Sequence, residues 1–210
     1  MRNILIIDDH EVLRDGVKRV LDKPSGTTRF GEAGTFSSAL RLAREQDWDV
    51  VVLDLSLGSR SGLEVLKELK QIRPRLPVLI LSMHSEEQFA RRAFKAGASG
   101  YITKDSPRAE LVKAVNKVTS GGLYVSPALA ERLAVDLRKD TGRPPHETLS
   151  DREYEVMLLI ASGKTVGQIA ELLSLSDRTI STYRTRLIEK MGMKTSAELT
   201  RYAIHNRLME

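Results

Sequence analysis

Five polar residues stand where apolar runs stop. Asp8 and Asp9 follow Ile4-Leu5-Ile6-Ile7, Asp54 follows Val50-Val51-Val52-Leu53, Ser82 ends the run from Val78, and Lys104 lies just past Tyr101-Ile102. Short apolar runs rich in β-branched residues read as buried strands of a parallel sheet. In an open α/β sheet, ligands bind at the carboxyl ends of the strands. Three carboxylates at one such edge repel each other unless a cation sits among them, and a hard divalent ion held by oxygens meets that need. A carboxylate can also be the nucleophile in phosphoryl transfer, with a hydroxyl and an ammonium holding the new phosphoryl oxygens. Each residue alone has a bland reading as a helix cap, a turn or a solvated loop lysine. All five at one edge favour the chemistry.

The elements that must position them alternate through residues 1–119. Strands are predicted at 3–7, 28–33, 50–54, 77–82 and 100–102. Between them, Val12, Leu13, Val17, Val20 and Leu21 mark the apolar stripe of one helix, and Thr35 caps a second containing Ala39, Leu40, Leu42 and Ala43. Ser61-Gly62-Leu63-Glu64 and Ser85-Glu86-Glu87-Gln88 have the capping-box form, and Ser106-Pro107 starts the fifth helix. Five βα units in succession predict an α/β fold, a doubly wound five-stranded parallel sheet with helices on both faces. Strand order 2-1-3-4-5 makes strands 1 and 3 neighbours at the switch point, so Asp8, Asp9 and Asp54 converge.

The pattern then changes. A helix is predicted near 126–138, and 139–147, with Gly142, Pro144 and Pro145, reads as a flexible, extended linker. Residues 148–210 carry no strand pattern and form a second, all-α domain. Capping boxes open at Ser150, Thr165 and Thr195, Ser176 caps a further helix, and four helices fall near 151–162, 166–173, 177–191 and 196–206. A short helix, a tight turn and a longer helix across 168–191 have helix-turn-helix spacing. On the longer helix Ile180, Leu187 and Met191 share the buried face, while Arg178, Thr182 and Thr185 point outward, flanked by Ser181 and Arg186. Residues 178–194 hold Arg178, Arg184, Arg186, Lys190 and Lys194 against Glu189 alone. Pattern alone leaves open an ordinary helical unit with a solvated charged face.

Composition narrows the classes. The 210 residues are 41% hydrophobic and 29% charged, with a net charge of +5 and no cysteine. Disulfides, thiolate metal sites and a cysteine nucleophile are excluded. The absence of cysteine fits a reducing compartment. No apolar run approaches the ~18 residues of a membrane span. Basic and acidic residues are nearly balanced along the chain, so no basic tail argues for nucleic acid.

Residues 1–119 resemble the receiver domain of a bacterial two-component response regulator, through Asp8-Asp9, Asp54, Ser82, Tyr101 and Lys104. The resemblance implies a flavodoxin-like receiver in which Asp54 is the phosphoacceptor. It also implies that Asp8, Asp9, Asp54 and the Ser56 main-chain carbonyl bind Mg²⁺, and that Ser82 and Lys104 contact the phosphoryl group. Tyr101 is then the aromatic that turns inward as Ser82 moves. Leu57-Gly58 stands where Met-Pro is usual and Ser61 where Asp or Asn is usual, which suggests a looser loop after Asp54. Ser56 and His84 would border the pocket.

Residues 148–210 are similar to the LuxR-type DNA-binding domain, through Leu149-Ser150-Asp151-Arg152-Glu153, Ile160-Ala161-Ser162-Gly163, Thr179-Ile180-Ser181-Thr182-Tyr183-Arg184 and Lys190-Met191. The whole chain thus resembles the NarL/FixJ response regulators. That resemblance implies a cytoplasmic regulator, phosphorylated by a sensor histidine kinase and dimeric when phosphorylated or bound to a double-stranded DNA operator. Arg178, Thr179, Ser181, Thr182, Tyr183, Arg184, Thr185, Arg186 and Lys190 are its DNA-contact candidates. Ser181 replaces a frequent Lys, and Tyr183 a usual His. Two rivals are a regulator that binds DNA without phosphorylation and an aspartyl phosphatase of the haloacid dehalogenase type. The phosphatase needs Asp-x-Asp on its first strand, whereas Asp8 and Asp9 are adjacent.

Overall fold

The run Ile4-Leu5-Ile6-Ile7 is fully buried in β1 (Arg2–Ile7), because strands pair with both its edges and helices cover both its faces. β1 lies between β2 (Thr28–Ala33) and β3 (Val50–Leu53), with Ile7 opposite both Ala33 and Leu53. β3 pairs with β6 (Val78–Ser82), and β6 with β7 (Gly100–Thr103), where Ser82 meets Thr103. All pairs are parallel, and the order is β2-β1-β3-β6-β7. This is the five-stranded topology expected from the sequence, and the register aligns the strand ends from which Asp8, Asp54 and Lys104 emerge.

The structure is a computed structural model, and it describes residues 2–22, 27–58, 60–84, 86–127, 129–131, 144–206 and 208–209, the Glu87 side chain excepted. The chain divides into two compact units, Met1–Ala134 and Val135–Glu210.

In the first unit, alternate strand residues face opposite sides of the sheet. Ile4, Ile6, Val50, Val52, Leu79 and Ile102 pack under Val17 and Leu21 of α1 (Glu11–Leu21) and Leu111, Ala114, Val115 and Val118 of α5 (Arg108–Thr119). On the other side α2 (Phe36–Glu45) packs against α3 (Gly62–Ile72), and α3 against α4 (Glu86–Lys95). Val12 and Leu13 belong to the expected apolar stripe of α1 yet are 81% and 39% exposed. They lie in the first turn, and only Val17 and Leu21 are buried in α1.

Several local expectations need correction. The segment after Asp54, read from the sequence as a loop, contains regular structure: Ser56–Leu57 (β4) and Arg60–Ser61 (β5) form a small antiparallel hairpin. Ser61 caps α3 by accepting from Leu63 N, without the reciprocal bond a capping box requires. Pro107, with no capping side chain, precedes α5, while the Ser106 hydroxyl pairs with that of Thr103. The capping box at Ser85 lies outside the described residues. So does most of the helix near 126–138, although its first turn is seen where the Ser126 hydroxyl accepts from Leu129 N.

The second unit opens with a 3₁₀ turn, Pro145–Thr148, followed by α6 (Asp151–Ala161), α7 (Val166–Leu172), α8 (Asp177–Met191) and α9 (Ser196–His205). The extended linker therefore does not reach residue 147. His146 Nδ1 lies 2.8 Å from the Tyr202 hydroxyl and ties this turn to α9, while 139–143 lie outside the described residues. Ser150 and Thr165 form true capping boxes with Glu153 and Gln168. At Thr195 the box is incomplete, because the Glu198 carboxylate takes the N–H of Lys194 instead. The turn between α7 and α8 is tight enough to hold Ser174 at φ 51°, a left-handed conformation unusual for a residue with a Cβ.

Candidate functional site

The strand ends bring the acidic residues together around one ammonium. Lys104 Nζ donates to Asp8 Oδ2 at 2.7 Å and to Asp54 Oδ2 at 2.8 Å. Asp8 Oδ1 accepts from His10 N at 2.8 Å, and Arg14 on α1 donates from Nη1 to the Asp8 carbonyl at 2.7 Å. Asp9 is held from two sides, with His10 Nδ1 at 2.8 Å from its Oδ1 and Gly58 N donating to its Oδ2 at 3.1 Å. That second bond anchors the β4–β5 hairpin over the pocket, and the Arg60 guanidinium, 4.2 Å above the Phe36 ring, anchors its other side. Gly62 is required where α3 starts, because a Cβ there would stand 2.2 Å from the Asp54 carbonyl oxygen.

Asp54 is 3% exposed, and its Oδ1 is buried with no hydrogen-bond partner among the described residues. Burial pushes the Asp54 carboxyl above the usual carboxylate range; the Asp8 charge adds to this, and Lys104 opposes it without cancelling it. Burial works to lower the Lys104 ammonium, but Asp54 and Asp8 outweigh it and hold the ammonium above its ordinary value. Donor atoms of Asp8, Asp9, His10 and Asp54 all lie within 4.8 Å of one another. A buried carboxylate oxygen without a partner, beside two more carboxylates, is the donor set a divalent cation fits.

Ser82 is wholly buried, and its hydroxyl accepts from His84 N at 3.2 Å. Tyr101 is also wholly buried, and its hydroxyl donates to the His84 carbonyl at 2.9 Å. The ring is therefore turned inward already. Burial keeps its phenol from ionising, raising its pKa far above the ordinary value. Ser56 Oγ lies 3.4 Å from His84 Nε2, so the two residues expected at the border do meet there. The sequence reading missed His10 and Arg14 as partners of the pocket. Adjacency to Asp8-Asp9 was the available signal for His10; Arg14 offered none.

In the second unit, α8 buries Ile180, Leu187 and Met191 and exposes Arg178, Ser181, Thr182, Arg184, Thr185, Arg186 and Lys190. Thr179 and Tyr183 are half-buried. The Thr182 and Thr185 hydroxyls donate to the carbonyls of Arg178 and Ser181, which leaves their methyl groups and oxygen lone pairs outward. Arg184 donates from Nη2 to Ser196 Oγ at 3.3 Å. Lys190 Nζ lies 2.7 Å from Glu153 Oε2, an ion pair invisible to a reading of α8 alone. Burial acts to raise the Glu153 carboxyl, but Lys190 and the Ser150 N–H outweigh it and leave the pKa lowered.

The profile described as "Response regulator receiver domain" matches residues 4–116, and that described as "Bacterial regulatory proteins, luxR family" matches residues 147–203. The chain is a two-component response regulator. Its order of domains is that of the NarL/FixJ group. It is 33% identical to Response regulator UvrY of Escherichia coli over 209 residues, covering 99% of this chain and 96% of that protein. It is 34% identical to Response regulator GacA of Pseudomonas aeruginosa, covering 100% of this chain and 99% of that one. Among solved structures, a LuxR-family two-component response regulator from Aurantimonas sp. is 37% identical with a TM-score of 0.59, over 65% of this chain and 98% of that one. The response regulator RcsB in complex with DNA is 25% identical with a TM-score of 0.58, over 96% of each chain. The response regulator described here is thus a transcription regulator of the two-component type and not an enzyme. Receiver domains bind Mg²⁺ at an acidic pocket of this kind. Among the described residues, no helix is long and apolar enough to cross a membrane.

Proposed function

We propose that this response regulator accepts a phosphoryl group on Asp54 from a sensor histidine kinase and controls transcription as a dimer on a double-stranded DNA operator in the cytoplasm. The observation that carries the reading is the buried Asp54 Oδ1, free of any partner among the described residues, beside a Lys104 ammonium already shared with Asp8. Asp54 supplies the nucleophilic oxygen. The new O–P bond forms as the P–N bond to the kinase histidine breaks, and the electron pair stays on the imidazole. Lys104 then transfers a hydrogen bond from carboxylate to phosphoryl oxygen, and Ser82 turns its hydroxyl toward the same group. Asp8, Asp9, Asp54 and the Ser56 main-chain carbonyl would hold Mg²⁺, which when bound offsets the negative charge gathered there. Tyr101, already inward, is the switch residue, and Ser82 turned toward the phosphoryl group would keep it there.

On DNA, Arg178, Tyr183, Arg184, Arg186 and Lys190 are assigned to phosphates, and Thr179, Ser181, Thr182 and Thr185 to base edges. Two copies would read a two-fold site with half-sites about one helical turn apart. The receiver occupies 1–119 and the DNA-binding domain 148–210, joined by 120–147.

Beryllofluoride binding, followed by fluorine NMR, tests the pocket. The wild type should bind it with Mg²⁺ and not without, and Asp54→Asn should not bind it. Equal binding by Asp54→Asn would remove the assignment.

A further inference from the structure

The amino ends of β3 and β6 lie at the edge of the sheet opposite the phosphoryl pocket. Asp49 precedes β3 and Asp54 follows it, which sets the two edges about 16 Å apart. At this far edge the ends of α2 and α3, with the turn that follows α3, enclose a cleft of about 540 Å³. That is the volume of a small-molecule site, and the apolar groups of Ile72, Leu76 and Pro77 line part of it. The aromatic group of the cleft is Trp48, which is half-buried and fixed. Its indole N–H donates to the Leu42 carbonyl at 3.0 Å. The tip of its six-membered ring rests on Gly31 of β2, where a Cβ would stand 2.1 Å from Trp48 Cη2. The ring is therefore held at two points before any ligand arrives.

Four charged side chains line the cleft, and three of them are engaged. Arg73 donates from Nε to the Ala43 carbonyl at 3.2 Å and pairs through Nη1 with Asp47 Oδ1 at 3.0 Å. Asp49 Oδ2 accepts from Asn3 N at 2.7 Å. The fourth, Arg75, is exposed, and its guanidinium pairs with no group among the described residues. Its backbone is nevertheless held, because Lys70 Nζ donates to the carbonyls on either side, Leu76 at 2.7 Å and Pro74 at 3.4 Å.

We propose that this cleft binds a small aromatic carboxylate, its ring stacked on Trp48 and its carboxylate held by Arg75. A fixed indole offers a flat surface to a second ring. A guanidinium without an acidic partner offers a carboxylate two parallel N–H bonds. The proposal does not depend on Asp54 being the phosphoacceptor, because the cleft shares no residue with the acidic pocket.

Trp48 is the only tryptophan in the chain, so its indole N–H gives a single reporter signal in proton–nitrogen NMR of the full chain. Benzoate carries both features, cyclohexanecarboxylate the charge without the aromatic ring, and benzamide the ring without the charge. Benzoate should shift the Trp48 signal saturably. Each of the other two should bind about tenfold more weakly, the effect of losing either the stacking or the charge-assisted bonds. Arg75→Gln should weaken benzoate about tenfold and leave benzamide unchanged, while Arg75→Lys, a point charge without the fork, should fall between. The remaining signals of the spectrum check that both variants keep their fold. Absence of a saturable shift with benzoate overturns the proposal. Equal binding of benzoate and cyclohexanecarboxylate removes the stacking, and unchanged benzoate binding by Arg75→Gln removes the guanidinium; either result overturns it as well.

Discussion

The Lys104 ammonium lies 2.8 Å from Asp54 Oδ2, with the two side chains only 8% and 2% exposed. A buried carboxylate left without its cation carries its full desolvation penalty. Lys104 serves Asp8 as well, so its loss leaves two such carboxylates. Lys104→Met should therefore cost about 3–5 kcal/mol in urea unfolding of the metal-free protein. A cost below about 1 kcal/mol would mean that water already screens the pocket.

The Asp54 carboxyl itself weakens the metal-free fold. Its folded-state pKa is raised, chiefly by burial, whereas the unfolded chain ionises near pH ~4. The penalty is thus absent below the unfolded pKa and complete above the folded one. Asp54→Asn should raise metal-free stability at neutral pH, and the gain should shrink as the pH falls toward ~4. A gain independent of pH would point to packing rather than charge.

Gly62 touches the phosphoacceptor through its backbone. Since a Cβ would stand 2.2 Å from the Asp54 carbonyl, Gly62→Ala must displace either α3 or Asp54. It should cost about 1–3 kcal/mol and slow acetyl phosphate labelling. Unaltered labelling with unaltered stability would show that the strand end yields freely.

Lys190 and Arg186 differ although both project from α8. Lys190→Ala leaves Glu153 without its cation. The Glu153 pKa is lowered, so the stabilisation is present above the unfolded value near ~4.3 and lost as pH falls through the folded one. Lys190→Ala should accordingly lower the melting temperature at pH 7 and have little effect in acid. Arg186→Ala is the cleaner DNA probe: affinity for operator and scrambled duplex should fall alike, with the salt slope reduced by about one. Loss of operator binding alone would place Arg186 on a base.

Thr182 separates hydroxyl from methyl readout. Its hydroxyl proton is already given to the Arg178 carbonyl, which favours a methyl contact with thymine. Thr182→Val should keep operator affinity within about threefold, while Thr182→Ala should cost about 1–3 kcal/mol there and little on random DNA. Equal losses for both would restore the hydroxyl as the reading group.

What could be read from the sequence was what depends on near neighbours. Apolar runs that end on Asp8-Asp9, Asp54 and Ser82 located the strand ends, and the fold's topology then gathered them. The buried stripe of α8 followed from its period alone. The hairpin after Asp54 escaped notice because its anchors, Asp9 and the Phe36 ring, lie far away in the chain. The Lys190–Glu153 pair and the bonds from Tyr124 to Glu110 and from Ser126 to Glu86 were hidden for the same reason. Val12 and Leu13 were misjudged because an apolar stripe can be longer than the surface that covers it.

The central claim is that Asp54 receives the phosphoryl group, and intact-protein mass spectrometry after incubation with acetyl phosphate and Mg²⁺ tests it most directly. The wild type should gain one phosphoryl group, borne by the peptide containing Asp54, and gain none when Mg²⁺ is chelated. Asp54→Asn should gain none under either condition. Labelling of Asp54→Asn at the wild-type level, or a phosphoryl group mapped to any other residue of the wild type, would contradict the account.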